Sequence, residues 1–133
     1  MELDNHTWNL HLATENNDIG AVQRFIEAGT NVDSRNEEQQ TPLHVAASKG
    51  FEVLARVLLG YGANINSIDE EHRTPIWLAL ENNHSQMVKM LTNRGANIHI
   101  KDKDQQKTPL YLAVERNQLP RSEEHTSELQ SPS

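Results

Sequence analysis

The chain has no cysteine. A disulfide framework, a thiolate metal site and a cysteine nucleophile are therefore excluded within these residues. Aromatics make up only 5% of the 133 positions and apolar residues 35%. A domain built around one central core needs more, whereas a stack of units that bury faces only against their neighbours needs less. No apolar run approaches the ~18 residues of a membrane span. A glycine-rich phosphate loop, a Gly-x-Ser-x-Gly turn and histidines at metal-ligand spacing are all lacking, so the expectation is a non-enzyme with no cofactor and no metal. Basic charge is scarce as well. Twelve Lys and Arg stand against 19 Asp and Glu, a formal −7, which argues against nucleic-acid phosphates as the main partner. The start, Met1-Glu2-Leu3-Asp4-Asn5-His6, is acidic and polar, which reads as no secretory signal. With cysteine absent too, the expected location is the cytoplasm.

What the chain has instead is repetition. Thr41-Pro42-Leu43-His44-Val45-Ala46 recurs as Thr74-Pro75-Ile76-Trp77-Leu78-Ala79 and as Thr108-Pro109-Leu110-Tyr111-Leu112-Ala113, spaced by 33 and then 34 residues. Gly29-Thr30-Asn31-Val32-Asp33, Gly62-Ala63-Asn64-Ile65-Asn66 and Gly95-Ala96-Asn97-Ile98-His99 repeat every 33. Each Thr-Pro predicts a helix start: the Thr hydroxyl caps, and Pro suits the first helical position because its missing N–H has no partner there. Gly50 predicts the left-handed end of that helix, with Asn17, Asn83 and Asn117 as the tolerated substitutes elsewhere. A second helix follows each time. Ile19, Ala21, Val22, Phe25 and Ile26 fall at helical spacing, as do Val53, Leu54, Val57, Leu58 and Leu59, and then Met87, Val88, Met90 and Leu91. The middle one is expected to stop at Gly60-Tyr61-Gly62, with Ala63-Asn64-Ile65-Asn66 running on in extended form.

A 33-residue period carrying Thr-Pro-Leu-His-x-Ala resembles the ankyrin-repeat family, and the resemblance covers about residues 3–120. It implies an all-α ankyrin-repeat solenoid of stacked helix-loop-helix units with β-hairpin-like fingers, about three and a half repeats long. The expected units are a degenerate first repeat at 3–35, a second at 36–68, a third at 69–102 and a truncated fourth at 103–120. In the first, Trp8-Asn9-Leu10-His11-Leu12-Ala13 stands in place of the motif. The family pattern makes His44 a structural hydrogen-bonding residue. The matching His11, Trp77 and Tyr111 are too varied for a repeated metal ligand, and Trp77 and Tyr111 are expected to pack. The family's usual glycine at each finger tip is replaced by Gln39, His72 and Gln106. Because these side chains resist a positive φ, the tips are expected to use another turn or to be looser. Residues 121–131 match in order the in-frame translation of a common short-read sequencing adapter, so 121–133 is expected to be a non-native or disordered tail.

The resemblance also implies a non-catalytic scaffold that binds another protein through its concave finger and helix surface. Carried over position by position, the rim is Glu37, Glu38 and Gln40, then Glu70, Glu71 and Arg73, then Asp104, Gln105 and Lys107. The helix face is Glu15 and Asn16, Ser48 and Lys49, Glu81 and Asn82, and Glu115 and Arg116. The acidic band on the second and third fingers is expected to favour a basic partner segment. The alternative is a fragment of a larger ankyrin-repeat protein whose activity lies elsewhere, of the ubiquitin-ligase adaptor, ion-channel or arthropod pore-forming toxin type.

Overall fold

The computed structural model describes residues 9–117. Seven helices occur among them: α1 (Leu10–Glu15), α2 (Ile19–Glu27), α3 (Pro42–Lys49), α4 (Glu52–Gly60), α5 (Pro75–Glu81), α6 (Ser85–Asn93) and α7 (Pro109–Arg116). They form two layers. The inner helices stack in the order α1, α3, α5, α7, and α2, α4 and α6 each back onto the inner helix that precedes them. The truncation expected near Pro120 and the adapter-like segment lie outside the described residues, as does Trp8.

Local chemistry explains each helix. The Thr41, Thr74 and Thr108 hydroxyls accept the backbone N–H groups of His44, Trp77 and Tyr111, and each helix opens on the following Pro. The degenerate first repeat moves this cap by one residue: Asn9 Oδ1 accepts from Leu12 N at 2.9 Å. The inner helices end as expected, on Asn17, Gly50, Asn83 and Asn117 in the left-handed region.

The inner layer packs closely because Ala13, Ala46, Ala47, Ala79 and Ala113 keep it thin, and all five are buried. Leu54 and Leu58 of α4 are fully buried, as are Met87 and Leu91 of α6 to within 1%. Burial of one such side chain stabilises by roughly 1.5–3 kcal/mol. The outer helices, in contrast, touch one another only lightly. A stack tight on one side and loose on the other curves toward the tight side.

Two expectations are corrected. The finger tips do not escape the left-handed turn: Gln39, His72 and Gln106 have φ of 63°, 61° and 57°. The reason is a side-chain clamp at the base of each finger. Asn36 Oδ1 accepts from Glu38 N and Gln40 N, and Asp69 Oδ1 accepts from Glu71 N and Arg73 N. In the third, one residue longer, Asp102 takes Gln105 N on Oδ2 and Lys107 N on Oδ1. Backbone bonds close the same loops, Asn36 N to Gln40 O and Asp69 N to Arg73 O. These bonds outweigh a strain of about 1–2 kcal/mol per side chain. The segment after α4 is not extended either. Asn64 Oδ1 accepts from Asn66 N in a local turn, and Asn31 and Asn97 do the same for Asp33 and His99.

Candidate functional site

The fingers are tied to one another by backbone. Glu70 N donates to Glu38 O at 3.2 Å, and Lys103 N donates to Glu71 O at 2.7 Å. Arg35 spans the same seam, donating to Gln39 O and Ile68 O. The rim is therefore a continuous edge, and its side chains have fixed starting points.

Beneath the fingers, the motif position joins adjacent repeats. His44 is fully buried. Its Nε2 lies 2.8 Å from Arg73 O, and its Nδ1 lies 3.1 Å from Thr41 N. A carbonyl only accepts and a backbone N–H only donates, so Nε2 carries the proton and Nδ1 is bare. Burial pushes the His44 pKa below 6.5. The Arg35 and Arg73 charges act the same way, against the Arg73 carbonyl and Asp69. Trp77 fills the same position one repeat on and is buried, with Nε1 donating to Lys107 O at 3.3 Å. His11 reaches Ser34 O at 2.7 Å; its Nδ1 is buried with no partner among the described residues, and burial lowers its pKa. Tyr111 departs from expectation: it is 45% exposed, because no following finger covers it among the described residues.

The side chains proposed for the site fall into two groups. Some serve the fold. Arg73 pairs with the buried Asp69 at 3.1 Å and lies over the Trp77 ring at 5.7 Å. Gln40 Nε2 also donates to Asp69 Oδ2. Burial alone would raise the Asp69 pKa, but the Arg73 N–H, the Gln40 amide and the Arg73 guanidinium together hold it below the ordinary 3.8. Lys107 lies over the Tyr111 ring at 5.2 Å and 3.8 Å from Glu115. Arg116 donates to Glu81 O, and Asn82 donates to Leu78 O and Ser48 Oγ. The second group stands out from the fold. Glu37, Glu38, Glu70 and Gln105 are exposed, and the carboxylates of Glu37, Glu38, Glu70 and Glu71 make no hydrogen bond or ion pair among the described residues.

Finger and inner helix meet at a shallow cleft of about 110 Å³, walled by Glu38 and Gln40 on one side and by Ser48, Lys49 and Glu15 on the other. Glu70 and Glu71 continue the same rim one repeat on. Sequence reasoning did not find the part played by His84. Its Nε2 lies 2.8 Å from Ser48 O, so it anchors the end of the helix that carries Ser48 and Lys49. The 33-residue register held no sign of this, because the matching positions are Asp18 and Phe51.

An arrangement of this kind has edges and clefts for holding a surface, and among the described residues no cluster of three or more His, Asp or Glu could hold a metal. No helix among them is long and apolar enough to cross a membrane. Stacked helix pairs, capped by Thr-Pro and joined through fingers, define a repeat solenoid. The chain belongs to the ankyrin-repeat family: the family model described as ankyrin repeats (3 copies) matches residues 10–102. That family is a protein–protein interaction module. Rabankyrin-5 of Mus musculus and Rabankyrin-5 of Homo sapiens are each 41% identical to this chain over 61 residues, 44% of this chain. The chain spans 5% of the length of those relatives.

Proposed function

We propose that the array binds a partner protein, without catalysis, through the surface shared by fingers and inner helices, and that the partner presents a basic segment there. The observation that carries this reading is the set of unpaired carboxylates Glu37, Glu38, Glu70 and Glu71 on two backbone-linked fingers, with Glu38 lining the cleft. Fixed like charges without partners repel one another, and a segment with spaced Lys or Arg relieves that repulsion on binding. Ser48, Lys49 and Glu15 form the opposite wall, whose formal charges cancel, so Glu38 sets the sign of the cleft.

The test is selection from a random peptide library displayed against the chain and against the double variant Glu38→Lys with Glu71→Lys. Enrichment of Lys- and Arg-bearing peptides by the first and not by the second supports the reading. Identical binders selected by both would contradict it.

A second reading is carried by the 5% share of the relatives' length. The array is then one part of a longer ankyrin-repeat protein, whose further activity belongs to other sequence. Re-sequencing the source transcript across codon 120 tests it. Repeat-like sequence continuing past that codon supports it, and a transcript whose whole open reading frame encodes no more than these 133 residues contradicts it.

A further inference from the structure

The light contact between the outer helices leaves an open cleft of about 340 Å³ between α4 and α6, and no finger residue lines it. We infer that this cleft is a second interaction surface, opposite in sign to the rim, that takes an acidic segment of a partner protein. Arg56 and Lys89 stand at the same register position on the two helices, 33 residues apart, and Arg94 closes the far end just after α6. Among the described residues, one carboxylate reaches the cleft. It belongs to Glu52, which is taken up by Arg56 at 2.7 Å. Neither the Lys89 ammonium nor the Arg94 guanidinium has an anionic partner among the described residues. The amides of Gln86 and Asn93 add neutral donors to the same walls.

Two unpaired cations around a concave surface, in a chain of formal charge −7, form a local reversal of the protein's field. Such a reversal steers an anion to this place and away from the acidic rim. A cation at a helix C-terminus also favours its own helix dipole, which accounts for Arg94 alone but not for Lys89 in mid-helix. The cleft is open and extends across two helices, a shape that suits a chain segment with several carboxylates better than a single enclosed ion.

The experiment is fluorescence anisotropy of a labelled Asp/Glu-rich peptide with the full 133-residue chain. A neutral peptide, phosphatidylserine vesicles and inorganic phosphate serve as parallel probes. The expected result is salt-sensitive binding of the acidic peptide, weakened about tenfold or more by Lys89→Glu with Arg94→Glu. Glu52→Gln, which releases Arg56, is expected to tighten binding several-fold. The rim variant Glu38→Lys with Glu71→Lys is expected to move it far less, which separates this surface from the one proposed above. Should the reversal variant lose its helical circular dichroism, Lys89→Gln with Arg94→Gln gives the same reading with smaller effect. No binding of the acidic peptide, or unchanged binding by the cleft variants, overturns the inference. Binding to the vesicles or to phosphate without binding to the peptide overturns it in favour of a lipid surface or a small anion.

Discussion

His44 and Tyr111 occupy the same place in two copies of one motif, yet one is fully buried and the other 45% exposed. Both follow a Thr cap and a Pro, and both lie on an inner helix. What separates them is the next finger. Arg73 O descends onto His44 and Lys107 O onto Trp77, whereas no such carbonyl reaches Tyr111 among the described residues. The motif therefore does not by itself define a core residue. It presents a side chain with a polar tip, and the neighbouring repeat decides whether that tip becomes a buried strut.

Several substitutions can break that comparison. The largest effect is expected within the covered repeats: Leu58→Ala should cost about 2–5 kcal/mol, because the side chain is fully buried and leaves a cavity. Val114→Ala on α7, 62% exposed, should cost less than about 0.5 kcal/mol. Urea denaturation of both variants checks the pair, and similar losses would mean that α7 is as well covered as α4. Next comes Gly50→Asn. Asparagine serves at 17, 83 and 117, but at position 50 a Cβ would lie 2.7 Å from His84 Nδ1. The expected cost is roughly 1–3 kcal/mol, and a neutral result would show that the His84 ring moves freely. His44→Ala leaves the buried Thr41 N and the half-buried Arg73 O without their partner and should cost about 1–3 kcal/mol, with Tyr111→Ala costing clearly less on the same denaturation axis.

Acid sharpens the same contrast. His44 titrates below its unfolded value of 6.5 in the native state, so the native state binds fewer protons than the unfolded chain between those two values. The stability linked to it is fully present above pH 6.5 and is lost as pH falls through the depressed native value. His11 shifts the same way and adds to the same window. The Asp69 contribution is present above 3.8 and is lost only in stronger acid, as pH falls through its own lowered value. Urea midpoints measured from pH 7 to pH 5 should therefore decline for the parent and decline less for His44→Gln. Equal slopes would show that the histidine keeps an ordinary pKa. The smallest effect belongs to the finger tips. Gln39→Gly should stabilise by up to about 1 kcal/mol by relieving the positive φ. Gln106→Gly should gain less, since Gln106 Nε2 donates to Lys103 O at 3.0 Å.

Period, caps and helix pairs were legible in the sequence because each rests on a few residues acting locally. Thr before Pro, and Gly or Asn after the first helix, need no knowledge of the neighbours. The finger tips were misread for a related reason. Gln39, His72 and Gln106 oppose a left-handed turn when taken alone, and the counterweight is Asn36, Asp69 or Asp102 three or four residues earlier, acting through two backbone N–H groups at once. Tyr111 was misread because its surroundings depend on another repeat. For the rim, sequence positions pointed to Arg73, Lys107 and Arg116 as partner contacts, and the structure adds what the sequence does not show, that these three also contact Trp77, Tyr111 and the end of α5. Pairing of a charge is a matter of three-dimensional distance, and the spacing of a repeat does not encode it.

The central claim is that recognition sits on the acidic finger and inner-helix surface. Its most direct test is amide shift mapping by NMR, in which a Lys/Arg-bearing peptide from the library selection is titrated into the isotope-labelled chain. The account predicts that shifts concentrate at 36–40, 48–49 and 70–73 and leave α4 and α6 nearly unmoved. Shifts centred on α4 and α6, or spread evenly over the array, would contradict it.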